Sequence, residues 1–590
     1  MTPKLKISSF VIKRLAKIKN QCSGCLFGVM YDGRILIMGF NIENSVGSPN
    51  YKQIQNNFPA ELDLCGLIKF GECTDAQAHL NEIIQDVDVT DNPVLLHCEI
   101  GTSNVRASLF IHGHLEDIQF DIMEEETLWN EFIYARVQCN LEVVCPEDEK
   151  SVKTSMQNLR KYVASGKTGF KIVNSPIYLI GRASGTCITG TKSNAKISDL
   201  LEAANSGSTD DIQSKKKVAR TDFEVLRVAL FMKLSGDQEF DKISNNAAKC
   251  VFKPDVVKIR IPLQIDSLAV LHKNTKALGL YDILIESVCR SIRLIEKSVA
   301  NQKFLSNIND LGVPKTFNFK PNELGHFFSC VYLTNSVDED EYLVKRRKKL
   351  HQQFALPLTR PQFKRTNRYL FDGEQPTMKH LVNPHIGLKS QVTGGTQYLV
   401  TGKYTYYHYM QDGFDDNGWG CAYRSLQTLS SWYQWQGYVE RDVPSHKEIQ
   451  KYLFDIGDKQ SSFVGSKQWI GSTEVSMVLD GLFHIVCRIL RVESGADLSQ
   501  HGPTLARHFE TQGTPIMIGG GVLAHTILGI DFNSATNELK FLILDPHYTG
   551  ADDLSIVQAK KWCGWKGIDF WDKKSYYNLC MPQLPMNTCC

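Results

Sequence analysis

The sequence predicts an α+β protein: an α/β amino-terminal half, then a carboxyl-terminal third in which helices come first and strands follow. Three observations carry this. Between residues 20 and 145, short apolar runs alternate with turns; beyond residue 420, apolar positions recur at three- to four-residue spacing; and from Ile485 to Leu544 the runs become strand-length. Hydrophobic residues make up 42% and aromatics 10% of the 590 residues, ample material for cores, and the length allows roughly three or four domains.

In chain order, Cys25–Met30 and Ile35–Phe40 flank Asp32-Gly33, a dipeptide that favours the tight turn matching strand twist, so the pair reads as a hairpin. Leu62–Ile68, Val94–Ile100 and Phe132–Val137 read as further strands, with a helix over residues 74–86. The polar segment 202–217 has almost no apolar residues and reads as a flexible linker. Phe223–Leu234 and Asn274–Asn301 show helical periodicity, with a strand at Val256–Leu263 between them. Asp338–Leu350 begins acidic and ends Arg346-Arg347-Lys348-Lys349, the charge order that suits a helix dipole. The basic run is read as a solvated helix end rather than a nucleic-acid patch. A Pro- and Arg-rich connector, 356–376, follows. The domains expected from these shifts are 1–200, a linker 201–220, then 221–383 and 384–590.

The chemistry concentrates at Asn417-Gly418-Trp419-Gly420-Cys421-Ala422-Tyr423-Arg424-Ser425. Glycines permit a tight turn, and Leu426, Leu429 and Trp432 behind it mark an amphipathic helix with one face in a core, so Cys421 falls at a helix N-terminus. There the unpaired N–H groups and the dipole favour thiolate over thiol. A buried structural cysteine is the bland alternative, and most of the 17 cysteines are read that way. A base has two candidates. After a buried strand ending at Leu544, Asp545-Pro546-His547 can point carboxylate and imidazole the same way, because proline biases the residue before it to an extended conformation. His525, in Gly519-Gly520-Gly521-Val522-Leu523-Ala524-His525, combines equally with Cys421 and Asp545 into a triad of papain-like order. His547 leads because its partner is built in locally. For the oxyanion, the N–H of Cys421 supplies one donor, and Tyr409 and Gln411 compete as the second. The triple glycine lacks the Lys-Ser/Thr of a phosphate loop and reads as a flexible turn lining the cleft.

These motifs, together with Phe463-Val464-Gly465-Ser466-Lys467-Gln468-Trp469-Ile470-Gly471 and His408-Tyr409-Met410-Gln411-Asp412, resemble the ubiquitin-fold modifier 1-specific protease 2 family of papain-like cysteine proteases. The likeness runs from about Pro384 to Gln583. It implies a triad of Cys421, Asp545 and His547 with Tyr409 in the oxyanion hole, no cofactor, and cleavage after the terminal glycine of the modifier, from precursor or target lysine. It further implies partners: the modifier with its conjugates, and an anchoring partner at the endoplasmic reticulum. More weakly, it implies an MPN-like fold near the amino terminus. His112-Gly113-His114 supplies an H-x-H pair, but Leu115 and Ile122 stand where a metal-binding MPN domain needs proline and serine. The domain is therefore read as metal-free and recognition-only, with the histidine pair as a turn. Cys22-Ser23-Gly24-Cys25 has no second C-x-x-C and reads as free thiols beginning a strand. Two rival functions are an autophagy-type protease for another ubiquitin-like modifier and an adaptor at the endoplasmic reticulum.

A formal net charge of +2 excludes nothing by itself but asks for no nucleic acid. The basic first 19 residues lack a signal-peptide core, and the longest apolar run, near Ile516–Ile530, is glycine-rich and interrupted by His525. No direct membrane span is expected. An odd number of scattered cysteines suits a reducing compartment: cytoplasm, with recruitment to the cytosolic face of the endoplasmic reticulum. The terminal Cys589-Cys590 pair reads as an exposed tail rather than a prenylation site.

Overall fold

Asp32 and Gly33 both take left-handed φ, 44° and 71°, as a two-residue turn between twisted strands demands, and Cys22–Tyr31 pairs antiparallel with Arg34–Glu43 across them. The structure is a computed structural model that describes residues 4–43, 51–72, 75–87, 89–146, 148–182, 185–207, 223–232, 258–300, 312–338, 340–374, 379–390 and 392–585. By contacts the chain divides into Met1–Leu356 and Pro357–Cys590.

The hairpin lies inside an eight-stranded sheet ordered His114–Ile118, Val105–Ile111, Val94–Cys98, Asp63–Phe70, Cys22–Tyr31, Arg34–Glu43, Lys4–Ser8, Phe120–Met123. Its two edge strands are consecutive in sequence and joined by Gln119 alone. Two Cα steps span about 7 Å at most, so the sheet must curl until its edges approach. His112 and Gly113, at φ 49° and 86°, form the tip of one hairpin, so the H-x-H pair sits in a turn as expected. Cys22 and Cys25 begin a strand, as expected.

The second sheet of this unit holds eight strands between Phe132 and Leu333. Here the sequence reading needs correction. Phe223–Leu234, expected as a helix, is the strand Val225–Met232, parallel to Phe132–Pro146 and antiparallel to Thr168–Ile172. Its apolar positions fit a period of two as well as 3.6, and neighbouring strands decided between them. The strand expected at Val256–Leu263 runs Lys258–His272, because Phe132–Pro146 offers it fifteen residues of pairing. The start of the expected linker, residues 201–206, belongs to helix Ile197–Ser206; residues 208–222 lie outside the described residues. Strands from both sides of residues 201–220 share this sheet, so the boundaries expected there divide one structural layer. Helices Glu149–Val163 and Leu280–Ala300 cover it with a common apolar core. The basic run in helix Glu341–Gln353 is only half solvated: Arg347 is buried and donates to the carbonyl of Asp338, Arg346 donates to Val331 O at 3.2 Å, and Lys348 and Lys349 face water.

In the second unit, helices Cys421–Trp435, His446–Asp455 and Ser472–Phe483 precede a sheet ordered Cys487–Val492, Tyr577–Pro582, Ile516–Gly520, Leu523–Phe532, Leu539–Leu544, Cys563–Lys566, with Thr396–Leu399 on Leu523–Phe532. Helices and strands fall where the sequence predicts them. Helix Gly502–Thr511 and the strands Cys563–Lys566 and Tyr577–Pro582 are additions that local patterns left unread. One expectation fails in a useful way. Helix Cys421–Trp435 was expected to bury one face; residues 421–433 are all buried. Two of its small polar residues hold the segment before it, Thr428 Oγ1 and Ser431 Oγ accepting the N–H groups of Tyr407 and Thr405 at 3.2 and 2.9 Å. The helix is therefore the axis on which the segment 404–409 is hung.

Candidate active site

Cys421 opens that central helix, and the turn before it is built for close approach. Gly418 has φ 80°, and a Cβ on Gly420 would stand 2.4 Å from Asp416 Oδ2. Asp416 is fully buried. Its Oδ2 accepts from Arg424 Nε at 2.5 Å and His446 Nε2 at 3.1 Å, its Oδ1 from Met410 N at 2.9 Å, and its carbonyl from Gly420 N at 2.9 Å. Burial alone would raise its acid; the His446 and Arg424 hydrogen bonds outweigh that and hold it below the usual carboxylate range.

Strand Leu539–Leu544 ends at the carboxylate, as expected. Asp545 Oδ1 accepts both the backbone N–H of His547 at 3.0 Å and its ring Nδ1 at 2.6 Å, with Pro546 between them. The other ring nitrogen, Nε2, is buried without a conventional hydrogen bond and faces the Cys421 thiol. Burial works against charge on both groups. It is outweighed at His547 by Asp545 and Cys421, which raise the imidazole to about 9, and at Cys421 by His547, the Tyr409 phenol and the N–H of Ala524, which lower the thiol. Both shifts favour a thiolate–imidazolium pair.

His525, the rival base, lies beside the other oxygen of the same carboxylate, Nε2 to Asp545 Oδ2 being 3.9 Å. Its ring packs against Phe570 and Trp571, with centroids 5.1 and 5.9 Å away, and burial pushes it down to about 4, so it is neutral. Ile518 pairs with it across the hairpin whose two-residue tip is Gly521-Val522; the triple glycine is mostly strand end, with only Gly521 at positive φ. Among the described residues, His525, Asp545 and His547 are the group close enough to hold a metal, but its tightest contact is the carboxylate–imidazole hydrogen bond beside a thiol.

Tyr409 is buried, its ring edge-on to His547 at 5.3 Å, its N–H donating to Pro546 O at 2.9 Å, and its phenol hydrogen-bonded to Cys421. Burial and the thiolate charge push the phenol well above its ordinary value, so it stays a donor. Gln411 is committed elsewhere: its amide donates to Asp552 Oδ1 at 3.1 Å and Tyr406 O at 3.2 Å. The loop that separates the two is strained. Met410 and Asp412 stand at φ 62° and 59°, a conformation costing such residues about 1–2 kcal/mol each. Sequence reasoning did not single out Asp416, Asp552 or Ala524: Asp552 and Ala524 meet Gln411 and Cys421 more than a hundred positions away, and Asp416 also depends on His446 across a helix and loop.

A cysteine thiol at the end of a buried helix, with an oriented imidazole and a phenol donor at the edge of a sheet, makes this a cysteine peptidase of papain-like architecture. The comparisons agree and are finer. Residues 395–580 match the model for peptidase family C78, residues 153–376 that for the amino-terminal part of ubiquitin-fold modifier 1 specific protease 2, and residues 1–128 that for the MPN-like domain of insect UFM1-specific protease. The chain is 48% identical to a probable Ufm1-specific protease 2 of Drosophila melanogaster, over 99% of this chain and 100% of that one. It is 37% identical to the Ufm1-specific protease 2 of Homo sapiens, over 74% of this chain and 93% of that one. A crystal structure of UfSP from C. elegans shares the fold at a TM-score of 0.63 and 23% identity, covering 99% of this chain and 100% of that one. The chain belongs to the Ufm1-specific protease 2 family.

Proposed function

We propose that this chain is a thiol-dependent peptidase and isopeptidase that cleaves after the terminal glycine of ubiquitin-fold modifier 1, maturing its precursor and freeing it from target lysines. The observation that carries the reading is the 2.6 Å hydrogen bond from His547 Nδ1 to Asp545, which turns the opposite ring nitrogen to the Cys421 thiol. The Cys421 thiolate attacks the glycine carbonyl. The oxyanion is met by the Tyr409 phenol and the N–H of Cys421 at the helix end, where both the dipole and the free donor favour negative charge. His547 passes its proton to the leaving amine; Asp545 keeps the ring oriented and balances its charge. Water then attacks the thioester with His547 as base, restoring the thiolate. Names of the relatives support the modifier as substrate. The autophagy-type and adaptor readings find no such support.

The test is reaction of the full chain with the modifier carrying a cysteine-reactive group at its terminal glycine, against ubiquitin and the autophagy modifier as controls. An adduct on Cys421 with the first alone is expected; an adduct with a control and none with the first sinks the assignment. Location in the cytoplasm, with a partner at the endoplasmic reticulum, is part of the same proposal. It rests on the family likeness, and no described helix is long and apolar enough to cross a membrane. Fractionation checks it: protein found only away from that membrane overturns the recruitment.

A further inference from the structure

Five residues beyond His547, the Asp552 carboxylate receives hydrogen bonds from three side chains: His380 Nδ1 at 3.1 Å, His408 Nε2 at 3.3 Å and Gln411 Nε2 at 3.1 Å. Two of these donors flank Tyr409. The other ring nitrogen of His408, which is fully buried, faces two carbonyls and donates to Tyr409 O at 2.9 Å and Tyr548 O at 3.0 Å. Gln411 Oε1 closes the loop by accepting the N–H of His408 at 3.0 Å. His380 carries the restraint one residue further, its Nε2 lying 3.3 Å from Asp412 Oδ2. This matters because the loop does not hold itself: Met410 and Asp412 are left-handed, a conformation their side chains disfavour. Burial works to raise the Asp552 acid, yet the bonds from His380 and His408 keep it far below the usual carboxylate range, so the anchor is a full negative charge.

We infer that Asp552 is a positioning residue which, acting through His408 and Gln411, fixes the Tyr409 loop and so sets the oxyanion-binding phenol in register with the base on its own segment. The inference rests on the reaction proposed above. It separates Gln411 from the rival role of oxyanion donor and gives it a different one, as a strut.

Two readouts on the full chain test it. Alkylation of Cys421 by iodoacetamide forms no oxyanion and needs no modifier, whereas cleavage of the modifier precursor needs both. In Tyr409→Phe the thiolate loses a hydrogen-bond donor, so the midpoint of its alkylation-versus-pH curve moves up. Asp552→Ala is expected to move that midpoint the same way, and the double variant no further. On the precursor, Asp552→Ala is expected to lower kcat about 10- to 100-fold with KM within about threefold, and the double variant to match Tyr409→Phe. Losses that multiply in the double variant, or a midpoint and kcat both unmoved in Asp552→Ala, overturn the inference. Should Asp552→Ala not fold, the isosteric Asp552→Asn, which keeps one acceptor oxygen, is read by the same criteria. A wild-type chain that alkylates normally but leaves the precursor uncut sinks the proposed substrate instead, and the alkylation arm alone then judges Asp552.

Discussion

At the scale of single residues, the site divides into groups that touch reacting atoms and groups that aim them. Cys421→Ser replaces the nucleophile by one that His547 cannot hold ionised, and turnover of the modifier precursor should fall by about 10⁴-fold or more without loss of the folded circular-dichroism spectrum. Residual turnover near wild type would remove Cys421 from the mechanism. The two histidines should part company. His547→Ala is expected to cost about 10³-fold in kcat, since it deletes both the acid and the base. His525→Ala deletes a neutral ring 3.9 Å from the far oxygen of Asp545 and should cost about tenfold. The reverse ranking would reassign the base. The pH profile follows from the shifted pair. Activity should rise as the Cys421 thiol ionises, below its ordinary 9, and fall as His547 loses its proton near 9, because the leaving amine then lacks an acid. In His547→Ala the alkylation midpoint should climb, the opposing cation being gone; a midpoint left in place would mean that the helix end alone ionises the thiol.

At the scale of elements, the turn 416–420 and the central helix are one device. Asp416 ties the Met410 amide and the Arg424 and His446 side chains to a single buried carboxylate, and its carbonyl takes the Gly420 amide. Asp416→Ala leaves Arg424 buried without its counter-charge, and a loss of about 3 kcal/mol or more is expected in the denaturant midpoint of the chain's Pro357–Cys590 unit. A loss under about 1 kcal/mol would show that water replaces the carboxylate freely. Elements were legible in the sequence where one pattern ruled. Asp32-Gly33 between apolar runs admits little but a hairpin, and Leu426, Leu429 and Trp432 admit little but a helix. Val225–Met232 was misread because six or seven mixed apolar residues satisfy both periods, and only pairing with strands at 132–146 and 168–172 breaks the tie. Tyr577–Pro582 was missed for the same reason: its partners, Cys487–Val492 and Ile516–Gly520, lie far back in the chain.

At the scale of the whole molecule, the amino-terminal unit is stitched from two sheets by a short loop. Ala60 exchanges hydrogen bonds with Leu268 and Val270 at 2.8 and 3.0 Å, and the buried Arg290 gathers the carbonyls of Gln55, Pro59 and Leu62 together with the Asp63 carboxylate. Arg290→Ala removes the buried cation these acceptors share and should destabilise the Met1–Leu356 unit by about 3 kcal/mol, read as a fall in its melting transition. No change would mean that the Ala60 hydrogen bonds and apolar packing hold the sheets together without it. The sequence by itself determined what depends on neighbours a few residues apart: the glycine turn before Cys421, the Asp545-Pro546-His547 dyad that a proline pre-sets, the hairpins, and the helix-then-strand order of the last third. Tertiary structure decided the choices between candidates of equal chemistry. The fold sets His547 and Tyr409 against the Cys421 thiol, while His525 packs on Phe570 and Trp571 and Gln411 bonds Asp552. The pairings of Cys421 with His547 and of Gln411 with Asp552 join residues more than a hundred positions apart, and no local pattern encodes them; they follow from which surfaces must be buried together.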